Sequence, residues 1–346
     1  MPRPTSSTHA VTRRPRSAAA RAVVALGAAV LLAGCGVRLD TPPQPLPTAD
    51  AAESARASLV AQSLATAQLA EALGELTADE ALADQVAQVA DAALAQADLL
   101  GGQWEPPARP DTPTDTGADS GAGPDGGETG EAVDADEDIS PQALVDGLSR
   151  AAQDAREAIG AAPSAEVADL YTAVAVWRAW AAQVLAHSTG AEAPAPQQPQ
   201  VVAATWRLAS VAGTQELIRG LDAAGFAYEY LAARAEEGSE DYLERARELR
   251  ALASDLAVAS GLAGTAQDPR SALYDTAGVA QSTPAAAAAI ESDLVALWVQ
   301  APLPSALRAT AVDGALASLL EIQRVAPRAA LDLTALPGYP AAATDS

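Results

Sequence analysis

The sequence predicts an all-α protein, with an antiparallel four-helix bundle in its C-terminal half and a second, alanine-rich helical half before it. Hydrophobic residues make up 49% of the 346 residues, which is enough for a sizeable core, but aromatic residues make up only 3%. Alanine and leucine favour helices, whereas the aromatic and β-branched residues that favour strands contribute less. Apolar residues also recur at intervals of three and four, which is the period of an amphipathic helix.

The N-terminal half, residues 49–189, is predicted to contain four helices. Caps, prolines and glycines indicate their ends. The first covers 49–75, and the second is opened by a capping box of Thr77 and Glu80 and stops at Gly101-Gly102. The third runs from Ser140-Pro141 to about Gly160, and the fourth is capped by Ser164 and ends near Gly190.

The C-terminal half, residues 201–340, shows the clearest helical stripes. Two helices are predicted at about 203–236 and 240–260, the second capped by Ser239, and two more begin at Pro284 and Ser305. The stripes and the mostly short connections predict an antiparallel four-helix bundle. The stripe residues are Leu217, Leu221, Ala224, Tyr228 and Leu231; Tyr242, Ala246, Leu249, Ala253 and Leu256; Ile290, Leu294 and Leu297; and Val312, Ala315, Leu319, Ile322 and Ala326.

Two segments interrupt the helical pattern. Residues 104–139 hold eleven acids, one arginine and almost no large apolar side chain, so we expect a disordered acidic loop. Residues 190–200 are rich in proline and are expected to link the two halves.

Residues 1–34 have the features of a lipoprotein signal peptide. A basic start is followed by an uninterrupted apolar stretch at 22–34. This stretch is too short to span a bilayer, which takes about 20 residues, but it fits the apolar region of a signal peptide. Arg13 and Arg14 also permit a twin-arginine signal, so the export route stays open.

The apolar stretch ends in Leu32, Ala33, Gly34 and Cys35, which resemble the bacterial lipobox. In that motif the signal peptide is cut before the cysteine, whose thiol receives diacylglycerol. An ordinary secretory signal with a chance cysteine is the alternative. The lipobox predicts a protein held by lipid on the extracytoplasmic face of the cell membrane, where two or three acyl chains anchor stably. Residues 36–48 contain four prolines and are expected to form an extended tether.

The charge of the chain excludes several partners. All 21 basic residues are arginines and five of them precede Cys35, so the mature chain carries 16 arginines against 45 acids, a formal charge of −29. Such a charge argues against binding to nucleic acid and against electrostatic attraction to anionic lipid. Attachment to the membrane is therefore expected only through the lipid.

Three stretches of the C-terminal half resemble a known family. They are residues 220–235 (GLDAAGFAYEYLAARA), the Tyr274-Asp275 connection that leads into a helix containing 294–298 (LVALW), and the closing 336–340 (LPGYP). Together they resemble a ferritin-like domain of unknown function carried by many actinobacterial lipoproteins. The resemblance covers about 200–340 and implies a ferritin-like fold without an established activity.

A ferritin-like bundle can hold two metal ions, which requires inward-facing glutamates and Glu-x-x-His motifs. The chain has only His9 and His187 and no such motif. With the apolar stripes as the helix seams, the acids fall outside the seams, and only Glu291 and Asp293 flank one. We therefore expect no metal, no cofactor and no catalytic residue set.

These observations predict a non-enzymatic binding or structural protein of the cell envelope. The alternative is a ligand carrier or an enzyme that uses a pocket in the C-terminal bundle near Tyr228, Tyr274 and Glu291. A further alternative is that the acidic loop recruits a partner or divalent ions. The partner, whether an envelope protein or a small ligand, is not specified by the sequence.

Overall fold

The computed structural model describes residues 49–103, 139–206, 211–276, 279, 284–327 and 336–339. The predicted signal peptide, the lipobox with Cys35, the tether, residues 104–138 of the acidic loop and Pro340 lie outside the described residues. Every regular element of the described part is helical, as the composition predicted. The described helices belong to one compact unit that starts at residue 49.

Four long helices form an antiparallel bundle in the N-terminal half. They are α1 (Ala51–Leu76), α2 (Glu80–Leu99), α3 (Pro141–Ala158) and α4 (Ala165–Thr189). The helix α1 packs against α2 and α3, and α4 packs against the same two helices. At one end of the bundle α1 and α4 begin, and α2 and α3 end. Each helix therefore runs in the opposite direction to the two helices that it packs against.

Two of the three helix caps that were predicted for this bundle are confirmed. The hydroxyls of Ser140 and Ser164 accept hydrogen bonds from the first turns of α3 and α4, as predicted. The prediction of a capping box formed by Thr77 and Glu80 is wrong. Asp79 caps α2 instead, since its carboxylate accepts hydrogen bonds from the backbone N–H groups of Ala81 and Leu82.

The described residues of the C-terminal half form one short helix and four long ones. They are α5 (Ala203–Trp206), α6 (Val211–Arg234), α7 (Ser239–Ala259), α8 (Pro284–Gln300) and α9 (Ser305–Val325). The single helix predicted at about 203–236 is described as α5 and α6, with residues 207–210 outside the described part. Ser239 is the first residue of α7 rather than its cap, because the cap is Gly238 with a left-handed φ of 73°.

The helices α6 to α9 form the predicted antiparallel bundle. The helix α6 packs against α7 and α8, and α9 packs against α8. All the stripe residues of α6 and α7 are buried. The two halves also pack together along α4 and α9, and one hydrophobic cluster extends through both. Trp177, Trp180, Trp206 and Trp298 are all buried in it.

Close packing between α8 and α9 depends on a glycine. A Cβ atom added to Gly314 on α9 would lie 2.3 Å from Cε2 of the Trp298 indole on α8. No carbon atom can approach an aromatic ring so closely, so only glycine lets α9 lie against this indole. The pair therefore fixes the contact between the two helices at the position where Trp298 is 1% exposed.

Candidate functional site

The three residues predicted to line a pocket belong to two separate clusters. Tyr228 and Glu291 lie together in the bundle interior, whereas the hydroxyl of Tyr274 donates a hydrogen bond of 2.7 Å to Oδ2 of Asp222. Asp222 lies on α6, about two helical turns before Tyr228. The three residues that were predicted to line one pocket therefore do not lie together.

The first cluster is a closed triad of Tyr228, Glu291 and Arg245. Glu291 is fully buried on α8. Its two carboxylate oxygens accept hydrogen bonds of 2.8 and 2.9 Å from Arg245 on α7, and Oε1 also accepts one of 2.9 Å from the Tyr228 hydroxyl.

Burial, reinforced by the negative charge of Glu291, raises the pKa of Tyr228. The pKa of Arg245 is lowered by burial, but its bonds with Glu291 outweigh this and raise it overall. Both groups therefore keep their protons, and the triad is a structural cross-link between three helices.

The second cluster surrounds the carboxylate of Asp222, which is 4% exposed. Besides Tyr274, it accepts hydrogen bonds from Arg250 on α7 and from the backbone N–H of Ser271. Burial and the hydrogen bond to Asp222 raise the pKa of Tyr274 to about 12. The cluster fastens the connection between α7 and α8 to the side of α6.

The prediction that the acids avoid the interior, with only Glu291 and Asp293 beside a seam, is wrong in detail. Glu291 is buried, but Asp293 is exposed, and Asp222 and Asp313 are buried as well. Each of the three buried acids accepts hydrogen bonds from an arginine, so its burial is compensated. The sequence pattern missed two of them because α6 and α9 are covered on more than one face.

An arginine also lies in the middle of the N-terminal bundle. Arg178 on α4 is 1% exposed, and burial lowers its pKa to about 10. Its guanidinium donates hydrogen bonds to Gln62, Ser63 and Gln96 and to the backbone carbonyls of α1 and α3. Neutral oxygens from the three other helices therefore surround this charge, which cross-links the bundle in the way that the Glu291 triad does in the other half.

A cleft of about 360 Å³ opens at the end of the N-terminal bundle where α1 and α4 begin and α2 ends. Most of its lining is apolar, including Leu99, Val167 and Leu170. Its polar side is formed by the ion pair of Arg56 and Glu53. Its residues come from three distant stretches of the chain, at 50–56, 99–100 and 163–171, and no local pattern in the sequence marks them.

The charged groups of this cleft are held by hydrogen bonds within the protein. The Arg56 guanidinium donates to both carboxylate oxygens of Glu53 and to the carbonyls of Leu100 and Gly102. Tyr171, which is 1% exposed, also lines the cleft. Burial raises the pKa of its hydroxyl, while the charge of Arg56 opposes the rise.

Metal-binding and membrane-spanning features are not found in the described part of the chain. No three His, Cys, Asp or Glu side chains lie close enough there to hold a metal ion. His187 is exposed near the end of α4. None of the described helices is both long and apolar enough to cross a bilayer.

Comparison with known proteins gives no relative. No protein-family model, curated protein or solved structure matches the chain.

Proposed function

We propose that the mature chain is a lipid-anchored protein of the extracytoplasmic face of a bacterial cell membrane, which binds a partner and does not catalyse a reaction. The observation that carries this proposal is the lipobox of Leu32, Ala33, Gly34 and Cys35 after a short apolar stretch. Cys35 is the only cysteine of the chain and directly follows the predicted signal peptide, which is the position at which lipid is attached in a lipoprotein.

The chemistry of the buried clusters supports the binding part of the proposal. A general acid or base needs a pKa near the working pH and access to the substrate. Tyr228 and Arg245 have pKa values raised away from neutrality, and their hydrogen bonds are taken up by Glu291. Asp222 is likewise enclosed by Tyr274 and by Arg250. Such clusters stabilise a bundle, and they leave no group prepared for proton transfer or nucleophilic attack.

The ferritin-like relationship of residues 200–340 also belongs to the proposal. The antiparallel arrangement of α6 to α9 is compatible with it, and so are the stretches at 220–235, 294–298 and 336–340 that carry the resemblance. The proposal includes neither a metal nor a cofactor, since the Glu-x-x-His motif that a di-metal site requires does not occur in the sequence.

Incubation of the mature protein with chromogenic acetate esters, phosphate monoesters and glycosides tests the non-enzymatic part. We expect rates equal to those of the buffer. Turnover that is lost in Glu291→Gln or Asp222→Asn, while circular dichroism shows the helices intact, would contradict the proposal. Glu244→Gln, which changes an exposed acid of α7, serves as the control for a general effect of charge.

A further inference from the structure

We infer that residues 194–199 (PAPQQP), which lie in the connection between the two halves, form an exposed proline ridge that binds a partner protein in a groove lined by aromatic side chains. This inference rests on the proposed function and gives the binding protein a contact surface and a class of partner. The sequence alone predicts only a link between the halves at this place.

Side chains of both halves hold the two ends of the proline ridge. Gln142 on α3 exchanges two hydrogen bonds, of 2.8 and 2.9 Å, with the backbone N–H and carbonyl of Glu192. The amide of Gln183 on α4 donates one of 2.7 Å to the carbonyl of Pro194. At the other end, the hydroxyl of Thr310 on α9 donates one of 3.2 Å to the carbonyl of the residue that follows the proline ridge. The connection therefore has a fixed place on the surface of both bundles.

The backbone of the proline ridge is restricted to an extended conformation. A proline ring fixes its own φ at about −65°, and the residue before a proline is kept out of the helical region. One of these two effects acts on every residue of the proline ridge except Gln197. Residues 190–202 form no helix or turn, and no backbone hydrogen bond joins residues 195–199 to another backbone group of the described part. These are the properties of a polyproline II segment, which needs little further ordering when it binds.

The proline ridge is also exposed and uncharged. Residues 194–198 are exposed, and Pro199 is half-buried. No charged residue lies between Glu192 and Arg207, whereas the long connection at 104–139 holds eleven acids and one arginine. Charge keeps a plain spacer solvated, as it does at 104–139. An exposed stretch that is rich in proline and free of charge has instead the composition of a recognition segment.

The chemistry of the proline ridge defines the partner. A polyproline II helix has three residues per turn, so Pro196 and Pro199 lie on the same edge. Proline rings presented in this way dock into grooves lined by aromatic side chains. Because the proline ridge carries no charge, the groove needs no charged counterpart. A contact of six residues is small, so we expect a weak and reversible complex.

Photochemical cross-linking in the bacteria that produce the protein tests the inference, because a weak complex is lost during purification. The photoreactive residue benzoylphenylalanine replaces Gln197 in the proline ridge or, as the matched control, the exposed Gln153 on α3. We expect light to attach one protein at position 197 that is not attached at position 153. Mass spectrometry of the linked peptide should place the attachment in a groove that contains Phe, Tyr or Trp side chains.

Proline variants show whether the attachment depends on the proline ridge. Pro196→Ala/Pro199→Ala, combined with the photoreactive residue, should lower the yield of the linked protein about fourfold or more. The reason is that each proline removed releases backbone freedom worth about twofold to fivefold in affinity. Ala195→Pro restricts the backbone further and should raise the yield, a gain that misfolding cannot produce. Pro163→Ala, which changes an exposed proline before α4, should leave the yield unchanged.

Four results would overturn the inference. They are no protein attached at position 197, the same proteins attached at position 153, an attachment site without aromatic side chains, and a yield that the double proline variant leaves unchanged. Palmitate incorporation in the same cells reports the anchor on Cys35 separately. If the label is intact, each of these results removes only the proline ridge, whereas a cross-link in a protein that never receives lipid would contradict the anchoring and leave the proline ridge.

Discussion

The guanidinium of Arg156 on α3 donates hydrogen bonds of 2.6 and 2.8 Å to the two carboxylate oxygens of Asp313 on α9. The Asp313 side chain is 6% exposed and that of Arg156 is 22% exposed. A second ion pair, between Asp169 on α4 and Arg308 on α9, connects the same two halves. The contact between the N-terminal and C-terminal bundles is therefore polar as well as apolar, and it fixes the orientation of one bundle on the other.

Removal of the charge at Asp313 should weaken this contact. We expect Asp313→Asn to lower the free energy of unfolding by about 1–3 kcal/mol, because a hydrogen-bonded ionic contact is lost in a largely buried place. Urea titration followed by circular dichroism measures the change. The control is Glu157→Gln, an exposed acid next to Arg156, which should change stability by less than about 0.5 kcal/mol. Equal stability of the two variants would contradict the role of the pair.

The triad in the C-terminal bundle should show strong coupling. Glu291→Leu leaves the guanidinium of Arg245 without its partner in the interior, so we expect a loss of about 3–5 kcal/mol in the free energy of unfolding. The double variant Glu291→Leu/Arg245→Leu should recover most of this loss, because no buried charge remains.

The exposed neighbour of Arg245 provides the control for this cycle. Glu248 also pairs with Arg245, but its side chain is 54% exposed. Glu248→Gln should therefore cost at most about 1 kcal/mol. A double variant as unstable as Glu291→Leu alone would show that shape rather than charge governs this position.

The contact of Gly314 with Trp298 should tolerate no added methyl group. We expect Gly314→Ala to lower the free energy of unfolding by about 1–3 kcal/mol or more, because the indole must move within a packed core. Gly147→Ala is the matched control, since a Cβ there meets no atom within 4 Å in the middle of α3. It should stabilise the protein by about 0.4–1 kcal/mol. Thermal unfolding followed by circular dichroism separates the two, and a stabilising Gly314→Ala would refute the close contact.

Alkaline pH should act on the protein through Tyr274. In the folded protein its pKa is raised from 10 to about 12, so its contribution to stability is fully present below pH 10 and is lost as the pH rises towards 12. Burial also raises the pKa of other tyrosines, such as Tyr228, so the signal of Tyr274 is obtained by difference. The tyrosinate absorbance that is present in the wild-type protein and lost in Tyr274→Phe should appear near the upper value. The variant should also be less sensitive to alkali between these pH values. Ionisation of Tyr274 near pH 10 would contradict the bond to Asp222.

The period of the apolar residues was sufficient to predict the helices. Leu217, Leu221 and Tyr228 lie on one stripe of α6 and are all buried, because a spacing of three and four residues places side chains on one helix face. The ends of the helices were predicted less accurately than their apolar faces. Several residues near a helix start can act as cap, and Asp79 rather than Thr77 does so at α2.

The acids and the cleft show where a single helix pattern is insufficient. A single apolar stripe marks only one buried face of a helix. The helix α9 packs against α8 on one side and against α4 on another, so Asp313 is buried outside the stripe. The cleft depends on the meeting of Arg56, Leu99 and Tyr171, which lie more than 40 residues apart along the chain. Such a meeting follows from the tertiary packing of the helices, and the local pattern of one segment does not contain it.

Labelling with radioactive palmitate in growing bacteria tests the central claim of lipid attachment most directly. The wild-type protein should incorporate the label, and the cut before Cys35 should shorten the chain by the 34 residues of the signal peptide. Cys35→Ser should incorporate none, although circular dichroism should show the same helices, since the described bundles begin at residue 49. Label that persists in Cys35→Ser would contradict the anchor and with it the proposed place of this protein on the membrane.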